Sequence, residues 1–189
     1  MDKNFFTNAM NLAKELAIKK LKEGDRAVDA TMGNGNDTVF LTKIVGTKGK
    51  VYSFDVQEIA LKNTKEKLNE NNIGEEVELI LDGHENMDIY IKEKVNLVMF
   101  NLGYLPKLSH EITTKAETTV IALEKSLNLI EKNGVVLLVI YHGHVNGKEE
   151  KAEIEDFAYK LNQKEYNVVK MEFMNQVNNP PVLIAIEKR

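Results

Sequence analysis

The segment VDATMGNGNDT (Val28–Thr38) decides the fold of this chain. Its first residues close an apolar strand, and Gly33 and Gly35 separate that strand from a segment of helical period that begins at about Asp37. Glycine between a strand and a helix lets the backbone approach a ligand closely. A dinucleotide site of the G-x-G-x-x-G type would have a third glycine where Thr38 stands. The loop therefore departs from that pattern, and a tight turn without a ligand stays the alternative.

Outward from this segment, apolar strand-like runs alternate with segments of helical period. Helices are predicted over residues 5–20 and 37–45, around residues 60–68, 120–130 and 154–161, and briefly after residue 86. Gly134 is predicted to cap the carboxyl end of the helix around residues 120–130. Strands are predicted at residues 26–31, 50–56, 76–81, 95–100, 135–141, 167–173 and 181–188.

This alternation implies parallel βαβ units in a doubly wound α/β sheet with helices on both faces. The first, fourth and fifth strands are continuously apolar, as in strands buried on both faces. No helix separates the last two strands, so they are predicted to form an antiparallel hairpin at one edge. Seven mostly parallel strands with this ending are the layout of Rossmann-like class I methyltransferases. One domain is expected over residues 1–189, with residues 1–22 as an N-terminal helix packed on the core.

Composition excludes several classes of protein. The 189 residues include no cysteine, which rules out disulfides and thiolate metal sites, and no apolar run long enough to span a bilayer. The N-terminus lacks a signal-peptide pattern, so a cytoplasmic protein without membrane attachment is expected. The net charge of −4 argues against a large non-specific nucleic-acid footprint, but it leaves room for a small basic patch.

Acidic residues follow three of the predicted strands. Asp29 favours a cationic group, such as the methionine ammonium of S-adenosylmethionine. Asp55 could accept hydrogen bonds from both ribose hydroxyls, or cap a helix. Asp82 could accept from an adenine amino group, with backbone N–H groups of Gly83 and His84 facing the ring, or it could cap the short helix. Ligands of doubly wound sheets bind at such strand ends.

The motifs DATMGNGNDT, NLGYLP, ETT, YHGH, GKEE and NQVNNPP together resemble the bacterial MnmM (YtqB) family of class I methyltransferases. This resemblance covers nearly the whole chain. It implies S-adenosylmethionine as methyl donor, with S-adenosylhomocysteine as product. It also implies methylation of the aminomethyl group of the tRNA wobble uridine, giving 5-methylaminomethyl-2-thiouridine. The cofactor-binding residues expected are Asp29, Thr31, Gly33, Asn34, Gly35, Asn36, Asp37, Asp55, Gln57, Asp82, Gly83, His84 and Asn101.

The segment after the fourth strand looks like a variant of the Asn-Pro-Pro-Tyr motif of amino-group methyltransferases. An aliphatic amine is mostly protonated at neutral pH and must lose a proton before it attacks a sulfonium methyl group. Asn101 is predicted to position this amine through its side-chain carbonyl, and Leu102 through its backbone carbonyl. Tyr104 is predicted to stack on the uridine or to bound the pocket. Gly103 and Leu105 complete this part of the substrate site.

Further candidates lie on other segments. His142 or His144 could accept the amine proton, although solvent could do so too. Two histidines without a ligand cluster do not predict a metal site, and none is expected. Glu149 and Glu150 are expected to favour a helix N-terminus. The remaining candidate substrate contacts are Thr114, Thr118, Tyr141, Asn175 and Asn178, and the candidate tRNA-phosphate contacts are Lys14, Lys19, Lys20, Lys22, Lys107 and Lys115.

One departure from the family pattern concerns the substrate side. The family has NLGYLPGGD where this chain has NLGYLPKLS, so Lys107, Leu108 and Ser109 leave the shape of the substrate loop open. Three alternatives remain: an rRNA or small-molecule methyltransferase, a non-catalytic S-adenosylmethionine-binding module, and an NAD-linked oxidoreductase. The missing third glycine and Asp29 disfavour the oxidoreductase. A homodimer would give so small a protein more surface for tRNA.

Overall fold

The computed structural model describes residues 6–103, 114–143 and 145–189. One sheet contains all of the strands in this part of the chain: β1 (Arg26–Asp29), β2 (Lys50–Asp55), β3 (Val77–Leu81), β4 (Val95–Leu102), β5 (Ile130–Ile140), β6 (Tyr166–Met171) and β7 (Val182–Lys188). The helices are α1 (Ala9–Lys20), α2 (Asn36–Val45), α3 (Glu58–Glu70), α4 (Met87–Tyr90), α5 (Ala116–Leu129) and α6 (Val145–Tyr159), with a 3₁₀ turn at His84–Asn86.

The strand order is β3-β2-β1-β4-β5-β7-β6. Strands β1 to β5 pair in parallel, whereas β7 runs antiparallel to both β5 and β6. This arrangement confirms the predicted seven-stranded, mostly parallel class I methyltransferase sheet with an antiparallel C-terminal hairpin. The strand order reverses between β1 and β4, and that reversal opens a crevice at the carboxyl ends of the strands.

The core lies on both faces of the sheet because residues alternate sides along each buried strand. Along β4, Leu97 and Met99 pack on one face with α1 and α2. Val98, Phe100 and Leu102 pack on the other face, with side chains of α5 and α6. The predicted burial of β1, β4 and β5 is confirmed, with β1 exposed only at its first residue.

Two element boundaries differ from the predictions. Helix α1 begins at Ala9 rather than residue 5, because the Asn8 side chain caps it by accepting from the Asn11 N–H at 2.8 Å. The Gly134 cap is wrong: α5 ends at Leu129, and the extended Ile130 starts β5 directly. The left-handed residue in this region is Asn133, with φ 62°, and it lies within β5.

The N-terminal helix contributes to the core. Ala9, Leu12, Ala13 and Ala17 form its buried face, which packs against β4, β5 and β7. Small side chains let the helix approach the sheet closely and bring its polar flank toward the end of β4. Within the part of the chain that the structure describes, no helix is both long and apolar enough to cross a bilayer.

Candidate active site

A cleft of about 440 Å³ opens at the carboxyl ends of β1, β2 and β4 and beside the turn after β3. That volume is within the range of small-ligand pockets, roughly 300–1,000 Å³. Most of the predicted site residues lie on its wall: Thr31, Gly33, Asn34, Asn36, Asp37, Asp55, Gln57, Asp82, Gly83, His84, Asn101, Gly103, Thr114 and Thr118. The wall also contains Ala30, Met32, Phe54, Val56 and Glu85. These residues were not predicted from the sequence, although they are close neighbours in sequence of the predicted site residues.

The remaining predicted residues lie elsewhere. Asp29, Gly35, Leu102, Tyr141, His142, Asn175 and Asn178 are not among the described residues of the wall. Tyr104, Leu105, Lys107 and His144 lie outside the described residues. The structure therefore groups the predicted cofactor residues well and the predicted substrate residues only in part.

Asp55 lies on the cleft wall, and its carboxylate joins the loops after β1 and β2. One carboxylate oxygen accepts from the Gly33 N–H at 2.9 Å, and the other accepts from the Gln57 N–H at 3.0 Å. Burial raises the pKa of Asp55, while these two N–H donors act in the opposite direction. A carboxylate has about four lone-pair positions, so Asp55 can hold the loops after β1 and β2 and still accept from a diol.

The two loop glycines have different roles. Gly33, at φ 52°, lies on the cleft wall, where its N–H bonds Asp55. Gly35, at φ 72°, lies behind the wall: a Cβ there would be 2.8 Å from side-chain atoms of Thr64 on α3. The expectation that Gly35 brings the backbone close to a ligand is therefore corrected. This glycine lets α2 start close to α3.

Gly35→Ala is expected to lower the free energy of unfolding by about 2–4 kcal/mol, because left-handed strain adds to overpacking against Thr64. Urea denaturation followed by circular dichroism measures the change. Gly143→Ala is the control, since a Cβ there meets nothing within 4 Å. Equal free energies of unfolding for Gly35→Ala and Gly143→Ala would contradict the close approach of α2 to α3.

Asp29 lies behind the cleft rather than on its wall, with 1% of its surface exposed. Its oxygens accept from the Thr31 N–H at 3.2 Å and from the Thr38 hydroxyl at 2.6 Å. The Thr38 oxygen is also 2.8 Å from Ser53 Oγ. The predicted direct contact between Asp29 and a ligand ammonium is corrected, because these bonds and the burial withdraw the carboxylate from the cleft. Burial, together with the nearby charge of Asp37, raises the pKa of Asp29 to about 7.

The ligand-free protein is expected to gain stability from Asp29 at low pH. The pKa in the folded state lies above the ordinary 3.8, so the folded state binds the proton more tightly. The contribution is complete below about pH 4 and is lost as the pH rises through about 7. Relative to Asp29→Asn, the wild type should lose on the order of 2 kcal/mol of unfolding free energy between about pH 5 and pH 8. Urea denaturation measures the unfolding free energies, and a difference between wild type and Asp29→Asn that does not change with pH would contradict this prediction. His84 is present in both proteins, so its contribution cancels in the difference between their unfolding free energies.

The turn after β3 forms the far wall. Asp82 accepts from the Gly83 N–H at 2.7 Å, from Asn86 Nδ2 at 2.9 Å and from the Tyr90 hydroxyl at 2.8 Å. The bonds from Asn86 and Tyr90 lower its pKa. Asp82 remains on the cleft wall and is held by these three donors, whereas the capping alternative is wrong, because the 3₁₀ turn has Gly83 at its N-cap position and no side-chain cap. Burial lowers the pKa of His84, whose Nδ1 lies 3.0 Å from the Ala30 carbonyl oxygen.

Asn101 stands near the end of β4, at the switch between β1 and β4. Its backbone N–H donates to Thr31 Oγ1 at 2.7 Å, and its side-chain Nδ2 lies 3.4 Å from Asp37 Oδ2. Leu102 is buried, and its carbonyl accepts from the Tyr141 N–H at 3.1 Å. The predicted role of the Leu102 carbonyl is corrected, since the β4–β5 ladder uses it.

Thr114 connects the cleft to α6. Its N–H donates to the Gly103 carbonyl at 3.1 Å, and its hydroxyl donates to Glu150 Oε2 at 2.7 Å. The other oxygen of Glu150 accepts from the buried Thr119 hydroxyl at 2.6 Å. Glu150 is 1% exposed and lies beyond the first turn of α6, so it does not have the expected position at a helix N-terminus. No local pattern reveals this residue, because its partners lie more than thirty positions away.

His142 is not among the described residues of the cleft wall. Its Nε2 lies 3.0 Å from the Pro180 carbonyl oxygen in the connection between β6 and β7. Asn175 and Asn178 belong to that same exposed connection. These positions correct the expectation that His142 serves as a proton acceptor and leave the two asparagines as surface residues away from the described wall.

The lysines predicted to contact phosphate divide into two groups. Lys115 lies on the cleft wall, at the start of α5, and Lys19 is exposed on α1. Lys14 instead points inward, with Nζ 2.8 Å from Asp37 Oδ1. That ion pair corrects the role expected for Lys14.

Comparisons with known proteins agree with this geometry. Residues 51–187 match the family model described as "Putative rRNA methylase". The chain is 35% identical over 179 residues to the "tRNA (mnm(5)s(2)U34)-methyltransferase, chloroplastic" of Arabidopsis thaliana. The match covers 89% of this chain and 65% of that protein, so the chain spans less than two thirds of this relative's length.

Two solved structures are similar over nearly their whole length. One, described as a putative rRNA-methylase from Clostridium thermocellum, has a TM-score of 0.96 and 46% identity, covering 97% of this chain and 99% of that one. The other is a putative methyltransferase from Streptococcus mutans in complex with SAH, with a TM-score of 0.89, 40% identity and full coverage of both chains. Because the family model matches more than half of the chain and the sheet has the same topology, the protein belongs to this rRNA methylase family of class I methyltransferases.

Proposed function

We propose that this protein methylates the aminomethyl group of 5-aminomethyl-2-thiouridine at the tRNA wobble position, giving 5-methylaminomethyl-2-thiouridine. The observation that carries the proposal is the placement of Asn101 on the cleft wall, with its Nδ2 3.4 Å from Asp37 Oδ2. The similarity to a tRNA (mnm(5)s(2)U34)-methyltransferase over 89% of the chain supports the choice of this acceptor.

The protein is an S-adenosylmethionine-dependent methyltransferase, and the residues of the cleft fit that cofactor. Asp55 would accept from the ribose hydroxyls, and the turn at Asp82–His84 would bound the adenine. Asn34, Asn36 and Asp37 line the other end of the cleft, where the methionine part would lie. When bound, the cofactor supplies an electrophilic methyl group on sulfur and leaves as S-adenosylhomocysteine.

The acceptor end has the groups that an amine substrate needs. Asn101 presents an amide within the cleft, on the same wall as Gly103, Thr114 and Thr118. Partial desolvation favours the neutral amine, whose lone pair is the nucleophile. Hydrogen bonding to Asn101 would orient that lone pair toward the methyl group, and Tyr104 would bound or stack on the uridine. The proton leaves to solvent, since His142 lies away from the wall.

The RNA partner must approach the mouth of this cleft. Lys115 lies there and would meet a phosphate of the anticodon loop, with the exposed Lys19 as a more distant contact. The wobble base is in a loop, so bringing it into the cleft costs less than extruding a paired base. We place the protein in the cytoplasm with its tRNA, and a homodimer would extend the surface available to it.

A nucleoside profile of tRNA from a deletion strain tests the proposal. Mass spectrometry is expected to show accumulation of 5-aminomethyl-2-thiouridine and loss of its methylated product. Purified protein with S-adenosylmethionine should then convert that tRNA. An unchanged tRNA profile, with missing methylation in rRNA instead, would overturn the tRNA assignment in favour of the rRNA substrate that the family description names.

A further inference from the structure

Glu150 is a buried carboxyl group that contacts a residue of the cleft wall. It lies on α6, with 1% of its surface exposed. Its Oε2 accepts from the Thr114 hydroxyl at 2.7 Å, and its Oε1 accepts from the Thr119 hydroxyl at 2.6 Å. Both carboxyl oxygens are therefore used, one on a residue just before α5 and one on a residue within α5.

The burial of Glu150 has an energetic cost that an apolar side chain would avoid. A buried carboxyl group loses its hydration, and two hydroxyl donors replace that hydration only in part. Among the described residues, no lysine, arginine or histidine forms an ion pair with Glu150. A methionine would fill a similar volume without this cost. Stability alone therefore does not account for Glu150, and its partners indicate its role.

The Thr114 side of this network reaches the acceptor end of the cleft. Thr114 lies on the wall, and its N–H donates to the Gly103 carbonyl at 3.1 Å. Gly103 lies on the same wall, two residues after Asn101 in the chain. We call Asn101, Gly103 and Thr114 the acceptor corner. Glu150 thus holds the residue through which the end of β4 is joined to the start of α5.

The donor side of the cleft is held by other groups. Asp55 accepts from N–H groups of the loops after β1 and β2, and Asp82 accepts from donors of its own turn and of α4. The hydrogen bonds of the Glu150 side chain reach neither carboxylate. Removal of Glu150 should therefore disturb the acceptor corner and leave the S-adenosylmethionine side of the cleft unchanged.

We propose that Glu150 is a positioning residue of the methyl-transfer site: through Thr114 it fixes the acceptor corner, so that the acceptor amine meets the methyl group in a reactive orientation. This inference rests on the proposed amine substrate. It gives α6, which has no described residue on the cleft wall, a part in the reaction without any contact with substrate or donor.

Glu150→Ala tests the assignment in single-turnover reactions at saturating tRNA. The rate should fall by about tenfold to a hundredfold, because a misplacement of about 1 Å can have an effect of this size. S-adenosylhomocysteine affinity, measured by calorimetry, should stay within about twofold of wild type. Glu150→Gln should keep most of the rate, since an amide can accept from one hydroxyl and donate to the other. Glu153→Ala, which removes an exposed carboxylate from the same helix, is the matched control and should behave as wild type.

Hydrogen exchange gives a second readout that needs no turnover. The Thr114 N–H, which bonds the Gly103 carbonyl, should exchange at least about tenfold faster in Glu150→Ala than in wild type or Glu153→Ala. If Glu150→Ala does not fold, Thr114→Val removes only the hydroxyl bond to Glu150 and should show both the slower methyl transfer and the faster exchange.

Three results would overturn the inference: unchanged exchange of the Thr114 N–H, a single-turnover rate of the folded variant within about threefold of wild type, or a loss of S-adenosylhomocysteine affinity as large as the loss of rate. Absence of methyl transfer to this tRNA by the wild type would instead refute the proposed function.

Discussion

Replacing Asn101 by alanine should reduce methyl transfer by at least about a hundredfold while leaving S-adenosylhomocysteine affinity nearly unchanged. The backbone N–H of this residue, which bonds Thr31, stays in place in the variant, so the end of β4 keeps its path. Only the amide between Asp37 and the acceptor is removed. Single-turnover kinetics with tRNA and calorimetry with S-adenosylhomocysteine separate the two effects.

Asn69→Ala, on the exposed face of α3, is the matched control for this change. Asn101→Asp adds a sharper test, because a second carboxylate next to Asp37 should be repelled and should depress turnover further at high pH than at low pH. Turnover of Asn101→Ala within about threefold of wild type would exclude Asn101 as the group that orients the amine.

Asp55→Asn is expected to weaken S-adenosylhomocysteine binding by about a hundredfold, roughly 2.7 kcal/mol. Two effects contribute. The substitution removes the charged carboxylate that would accept hydrogen bonds from the ribose hydroxyls. Hydrogen bonds to charged groups contribute about 1.5–3 kcal/mol. It also directs an NH₂ group at either Gly33 or Gln57, whose N–H groups both need an acceptor. Isothermal titration calorimetry measures the change.

Asp156→Asn, in the exposed α6 pair with Lys160, provides the control and should bind as wild type does. Ligand-free Asp55→Asn should be folded by circular dichroism but should unfold at a lower temperature than wild type, because the N–H of Gly33 or Gln57 loses its acceptor. Retention of wild-type affinity would show that the cofactor ribose lies elsewhere in the cleft.

The sheet could be predicted from the sequence because the signals that identify its strands are local. Continuous apolar runs at β1, β4 and β5 require burial on both faces, and the missing helix between β6 and β7 requires an antiparallel return. The boundary at Gly134 failed because α5 already ends at Leu129, where the extended Ile130 begins β5, and the left-handed Asn133 lies inside that strand.

The site was predictable where it depends on strand ends and was not where it depends on long-range packing. Asp55, Asp82 and Asn101 end or follow strands, so topology alone brings them together. The withdrawal of Asp29 follows from Thr38 and Ser53, whose hydroxyl groups have no sequence signature as partners. In the sequence, Lys14 and Glu150 look like surface charges. Only their tertiary contacts with Asp37 and Thr114 connect them to the cleft wall.

The hydrogen bond from the Thr114 N–H to the Gly103 carbonyl limits how far substitutions between these two residues can act. The segment of residues 104–113 departs from and returns to two points that are joined to each other, and Glu150 anchors the return point through Thr114 and Thr119. Lys107, Leu108 and Ser109 therefore fall between fixed ends. Substitutions at these positions leave Gly103 and Thr114 of the cleft wall in place.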